Sequence, residues 1–144
     1  MIGLVIVTHG QLGAELYNTA KLIVGERETT AGEGERCQSV AIEMNLDPDY
    51  LRALIAKAVK NQDRGQGVLI LTDMFGGTPS NISLSFLEED QVEVVTGVSL
   101  PMLLRVFQLR EKPAMTLAEL ANDTMEYSRK AIIIAGKLLG QRPK

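Results

Sequence analysis

Apolar residues along this chain fall into two alternating kinds of stretch: short continuous runs, and longer segments where they recur every three or four positions. Ile2 to Val7 is an unbroken apolar, β-branched run ending at Thr8-His9-Gly10, the pattern of a central strand covered on both faces. From Leu12 through Val24 the apolar residues Leu12, Leu16, Ala20 and Ile23 recur at helical spacing, and Gly25 supplies a stop. Glu26 to Arg36 is rich in Glu, Gly and Thr and reads as a solvated surface loop. A second short strand is expected over Gln38 to Met44. Asp47-Pro48 then opens a helix running through about Asn61, with Asp47 as cap, Pro48 at the first helical position, and Leu51, Leu54, Ile55, Ala58 and Val59 on its apolar face.

Val68 to Thr72 is a third buried strand ending at Asp73. The turn Met74-Phe75-Gly76-Gly77 leads into a helix from about Pro79 to Leu87. Val92 to Thr96 makes a fourth strand, followed by Gly97 and a helix from about Pro101 to Gln108. Thr116 to Leu139 is helical in pattern, although Ile132-Ile133-Ile134 also suits a strand. The alternation predicts an α/β fold: a doubly wound, mainly parallel, open sheet of four or five strands, with helices on both faces and a flavodoxin-like strand order. No internal repeat or linker interrupts it, and 144 residues suit one domain spanning 1–144.

Charge and cysteine content narrow the partners. Eighteen acidic residues against 15 basic ones leave a net charge of −3, so the long-range field attracts neither nucleic acid nor anionic lipid. Cys37 is the single cysteine, which rules out an intrachain disulfide and gives no sign of an oxidising compartment. The N-terminus opens directly into its apolar run without the basic lead of a secretory signal. That run is too short to span a bilayer. A cytoplasmic protein without membrane insertion is expected.

The chemistry lies where strands end. In open α/β sheets, ligands bind beyond the carboxyl ends of the strands, where strand order reverses. His9, the only histidine in the chain, and Asp73 both occupy such ends. If the first and third strands are neighbours, a carboxylate meets the imidazole across that crevice. Asp73 accepting one ring N–H would orient His9 and leave the opposite nitrogen free to attack phosphorus. Gly10 lets a phosphate or partner backbone approach. Gly76-Gly77-Thr78-Pro79 offers an anion site, with Thr78 as helix cap and Pro79 at the first helical position. The dinucleotide fingerprint, the P-loop and the serine nucleophile elbow are all missing from the sequence. No metal-ligand spacing stands out and no cofactor is expected.

Three segments together carry a family resemblance: Val7-Thr8-His9-Gly10, Leu71-Thr72-Asp73-Met74-Phe75-Gly76-Gly77-Thr78-Pro79-Ser80-Asn81, and Gly97-Val98-Ser99-Leu100-Pro101-Met102-Leu103-Leu104. In these the chain resembles the enzyme IIA component of the mannose-fructose-sorbose family of the bacterial sugar phosphotransferase system, over essentially its whole length. The resemblance implies a phosphoryl carrier, with His9 phosphorylated on Nε2 by the phosphocarrier HPr and the group passed to an enzyme IIB histidine for sugar uptake. Asp73 matches the family's histidine-orienting aspartate and Thr78 its phosphoryl-contacting hydroxyl. Similar proteins are homodimers that can exchange a C-terminal segment, for which Ile132 to Ile134 is the candidate.

Ser99 stands where relatives often carry Asn. With the chain ending at Lys144, the IIB acceptor is expected to be a separate protein or to be absent. Met74, Phe75, Leu100, Pro101 and Met102, apolar residues near His9, are the expected docking surface for HPr. Three other roles remain open for the same site: a regulatory module controlled by phosphorylation, a phosphoryl donor to a dihydroxyacetone kinase, and a small-anion binding domain that forms no covalent bond.

Overall fold

The computed structural model describes residues 1–25 and 37–140, so the loop expected over Glu26 to Arg36 lies outside the described residues. Four strands, β1 (Gly3–His9), β2 (Gln38–Ile42), β3 (Val68–Thr72) and β4 (Val92–Thr96), form one sheet in the order β2-β1-β3-β4. Every pairing is parallel, with Val7 opposite Thr72 and His9 opposite Ile42. The flavodoxin-like order is therefore present, with four strands among the described residues. The two central strands, β1 and β3, are buried along almost their whole length, which is why both read as continuous apolar runs.

Alternate side chains of those strands feed two separate cores. Leu4, Ile6, Leu69 and Leu71 pack with α1 (Leu12–Val24), α4 (Leu100–Leu109) and α5 (Leu117–Lys130). Val5, Val7, Val68 and Ile70 pack on the opposite face with α2 (Pro48–Gln62) and α3 (Thr78–Leu84). This is the doubly wound arrangement, and it leaves the crevice at the C-terminal ends of β1 and β3. No helix among the described residues is long and apolar enough to cross a membrane.

Local signals explain most boundaries. Asp47 caps α2, its Oδ1 accepting the Asp49 N–H at 2.9 Å, with Pro48 opening the helix. Thr116 and Glu119 form a reciprocal capping box at the start of α5. Ser99 caps α4, its hydroxyl accepting the Met102 N–H at 3.3 Å, so a serine closes the rim loop at that position.

Three expectations need correction. The buried stripe of α1 is Gly13, Tyr17 and Ala20, with Leu12 and Ile23 exposed. Gly13 turns the helix this way because it lies against β1, where a Cβ would come within 2.9 Å of the Ile6 side chain. The helix after the glycine turn stops at Leu84, shorter than its apolar pattern suggested. Ile132 to Ile134 joins neither a helix nor a strand: α5 ends at Lys130, and a short α6 (Ala135–Leu138) follows the isoleucines.

Candidate functional site at the ends of β1 and β3

His9 is the last residue of β1, and Asp73 follows β3 directly. Because those strands are adjacent, the two side chains meet. Asp73 Oδ2 accepts the backbone N–H of His9 at 2.9 Å and lies 2.7 Å from His9 Nδ1, while Asp73 Oδ1 accepts the Met74 N–H at 3.0 Å. The His9 side chain is 40% exposed and that of Asp73 only 11%. Burial by itself would raise the Asp73 pKa. The His9 backbone N–H, the His9 ring and the Met74 N–H outweigh burial and hold the carboxyl below its ordinary value of 3.8. Asp73 is therefore ionised at neutral pH, and an ionised carboxylate only accepts hydrogen bonds. In the neutral imidazole this places the ring proton on Nδ1 and the free lone pair on Nε2.

Beside the Nε2 edge of the ring runs the turn Met74–Gly77. A Cβ built on Gly77 would fall 2.9 Å from His9 Cε1 and 3.5 Å from Nε2, so only glycine lets this backbone lie so close to the ring. Gly76 takes a φ of +89° and Gly10 a φ of +53°, left-handed conformations that glycine adopts without a steric penalty. Gly10 is held to the neighbouring strand through its N–H, which donates to Ile42 O at 3.1 Å.

The expected cap is displaced by one residue. Gly77 is the N-cap of α3, Thr78 is already helical, and no side-chain hydrogen bond caps this end. The hydroxyl that organises the turn belongs to Ser80, for which the sequence pattern alone suggests no role. Its Oγ accepts the Gly76 N–H at 2.9 Å and donates to Gly77 O at 3.1 Å. Gly76 thus spends its N–H inside the protein and shapes the turn. A serine three residues after a double glycine was the available signal, but only the structure shows its side chain turned back over the turn.

The apolar residues expected beside His9 divide. Met74 and Phe75 are exposed on the turn. Pro101 is exposed and Leu100 half-buried at the start of α4. Met102 is only 2% exposed, within the core formed with β1, β3 and α4. It drops out of the docking set because the α4 stripe that carries it faces the sheet.

Along the open edge of β4, a groove of about 680 Å³ runs between that strand and α5. Thr96, Gly97 and Ser99 line it together with Phe75 from the turn, and Ile132 lies at it too. α5 is held in its position along the groove by Arg105 of α4, whose Nε donates to Asp123 Oδ1 at 2.8 Å and whose guanidinium lies 4.8 Å from the centre of the Tyr127 ring.

Comparison with known proteins identifies the family. The family described as PTS system fructose IIA component matches residues 3–125. The fructose-specific EIIA component of Bacillus subtilis (strain 168) is 33% identical over 144 aligned positions, covering 96% of this chain and 90% of that protein. The mannose-specific EIIAB component of Escherichia coli (strain K12) is 32% identical over 76% of this chain, which spans 32% of that longer protein. Among solved structures, a phosphotransferase system component EIIA from Streptococcus agalactiae superposes with a TM-score of 0.77 at 25% identity, covering 95% of this chain and 99% of that one. On a match running from β1 into α5, the chain belongs to the PTS fructose IIA component family, the enzyme IIA components of fructose and mannose type in the sugar phosphotransferase system.

Proposed function

We propose that this protein carries a phosphoryl group on His9 Nε2, accepting it from HPr and passing it to an enzyme IIB component during sugar uptake. The observation that carries the reading is the 2.7 Å contact between Asp73 Oδ2 and His9 Nδ1, made by the only histidine in the chain at the rim where an α/β sheet binds its ligands.

The chemistry follows from the proton's position. The Nε2 lone pair attacks phosphorus, and an N–P bond forms as the bond from phosphorus to the donor histidine nitrogen breaks, its electron pair staying on the donor ring. The Nδ1 proton stays on His9 against Asp73, whose negative charge offsets the positive charge the ring gains. Transfer to the IIB histidine repeats the exchange with this protein as donor. A loose phosphoryl transition state needs in-line positioning and balance of oxygen charge more than covalent help. In this reading Gly10 and Gly77 let the phosphoryl group approach, Gly76 sets the turn, and Thr78 presents its hydroxyl and backbone to the oxygens.

Met74 and Phe75, with Leu100 and Pro101 across the rim, form the apolar contact for HPr and IIB. The reading also takes the protein as cytoplasmic, folded as one domain over 1–144, and a homodimer. The test is incubation with phosphoenolpyruvate, enzyme I and HPr, with detection of an acid-labile, base-stable phosphoryl group by intact mass. Wild type is expected to gain one phosphoryl group and His9→Ala none, with both fully folded. Labelling of the variant would remove His9 from the reaction. Adding a IIB protein should then discharge the wild-type label, whereas retention would favour a signalling role.

A further inference from the structure

We propose that Ser80 is a positioning residue for phosphoryl transfer, holding the Gly76–Gly77 turn against the Nε2 edge of His9. The inference rests on the reading of His9 as the phosphoryl acceptor and adds to it a group that never touches the phosphoryl oxygens.

Ser80 is 0% exposed, on the buried face of α3. A hydroxyl has one proton to give and two lone pairs to receive with, and Ser80 uses both capacities on adjacent residues. Its Oγ accepts from Gly76 N–H at 2.9 Å and donates to Gly77 O at 3.1 Å. The two partners flank the peptide unit joining the glycines, so one side chain fixes the orientation of that unit. Without this bridge the unit would be poorly defined, because glycine rotates through left- and right-handed backbone conformations at similar cost. Its orientation matters because Gly77 abuts the reacting edge: a Cβ there would sit 2.9 Å from Cε1 and 3.5 Å from Nε2.

His9 is thus bounded on two sides by separate devices. Asp73 holds the Nδ1 side, and the Ser80-braced turn borders the Cε1–Nε2 side. The first governs tautomer and charge. The second governs only the space in which phosphorus meets Nε2, and a misplacement of about 1 Å in such a space can cost about 10²-fold in rate.

The test compares wild type, Ser80→Ala and Ser80→Cys with two donors: phospho-HPr, and phosphoramidate, a small donor that needs no docked protein and releases ammonia as the N–P bond to His9 forms. Ser80→Ala is expected to slow phosphorylation by about 10- to 100-fold with both donors, at unchanged folded fraction. The apparent KM for HPr should stay the same, as should the shape of the pH profile, since the Asp73–His9 pair is intact. Faster amide exchange at Gly76 should accompany the loss. Ser80→Cys, whose thiol is a weaker donor and acceptor, should fall between, and it carries the comparison if Ser80→Ala does not fold.

Wild-type rates in folded Ser80→Ala, slowing matched by lost folded protein, or a raised KM at constant kcat would each overturn the proposal. If wild type takes phosphate from phosphoramidate and not from HPr, the carrier reading fails while the Ser80 comparison still decides. If it takes neither, both fail.

Discussion

Asp73 makes an unequal division of its two oxygens: Oδ2 receives both the backbone N–H and the ring of His9, and Oδ1 receives the Met74 N–H. One carboxylate therefore ties the end of β1 to the start of the glycine turn and sets the imidazole tautomer. Asp73→Asn keeps the shape but offers an amide that supports neither the ring's positive charge nor the required tautomer as well. Phosphorylation is expected to slow by about 10²–10⁴ without ceasing, read in the HPr assay; a wild-type rate would remove Asp73 from the site. The same substitution has a pH signature. The folded-state pKa of Asp73 lies below 3.8, so its contribution to stability is fully present above the ordinary carboxylate range and lost as pH falls through the lowered value. The stability gap between wild type and Asp73→Asn should be present at neutral pH and close in acid, as followed by urea unfolding at a series of pH values. His9 and Asp73 were legible from sequence because each follows a buried run that could only be a strand. Ser80 was not, because Thr78 is also a hydroxyl near the same helix start, and choosing between them needs the helical register to a single residue.

The turn and α3 behave as one element, in which the missing side chain at Gly77 is as important as any side chain present. Gly77→Ala puts a methyl group 2.9 Å from His9 Cε1, closer than side-chain carbons pack, so either the ring or the turn must move. Because His9 is anchored by Asp73 on its far side, phosphorylation should fall by at least about tenfold. Thermal melting should show a smaller, separable loss, since the ring is partly exposed. Activity at the wild-type level would mean that the turn can retreat without consequence. The phase of α1 shows the same dependence on glycine. Its apolar period was visible, but the stripe was set by Gly13 and Tyr17, residues that a count of aliphatic positions passes over. Gly13 accepts burial because β1 comes too close for a side chain, and its N–H donates to Thr8 Oγ1 at 2.8 Å. Caps were more readable than phase: Asp47, which made its hydrogen bond where expected, advertises itself by residue type alone, whereas a buried face depends on what the sheet presents to it.

At the scale of the sheet, the strand order β2-β1-β3-β4 leaves β4 with one neighbour and an open side among the described residues, and the groove of about 680 Å³ lies along that side. Sequence patterning found the four strands of the described residues, but could not say what becomes of a strand edge, which depends on chain beyond the strand itself. The chain supplies a candidate. Ile132, Ile133 and Ile134 are 86%, 55% and 64% exposed and lie outside any helix or strand, with Ile132 already at the groove. Each isoleucine left in water forgoes about 1.5–3 kcal/mol of burial, a large sum against the usual margin of about 5–15 kcal/mol for a folded domain. An exposed β-branched run beside an unpaired edge is the combination that pairs chains by strand addition. In the homodimer reading, the isoleucine segment of one subunit adds to β4 of the other. Ile133→Pro deletes a backbone donor the added strand would need and, lying between α5 and α6, leaves both helices their own hydrogen bonds. Sedimentation equilibrium is expected to give twice the 15.7 kDa chain mass for wild type and the single mass for Ile133→Pro, with helical circular dichroism unchanged. A dimeric Ile133→Pro would move the interface away from this segment, and a monomeric wild type would end the dimer reading. Phe75 lines the same groove and belongs to the turn beside His9, so a strand seated on β4 would also cover part of the rim beside His9. Ile133→Pro should therefore change the rate of HPr phosphorylation as well as the mass, and unchanged transfer in the monomer would show that rim and edge work independently.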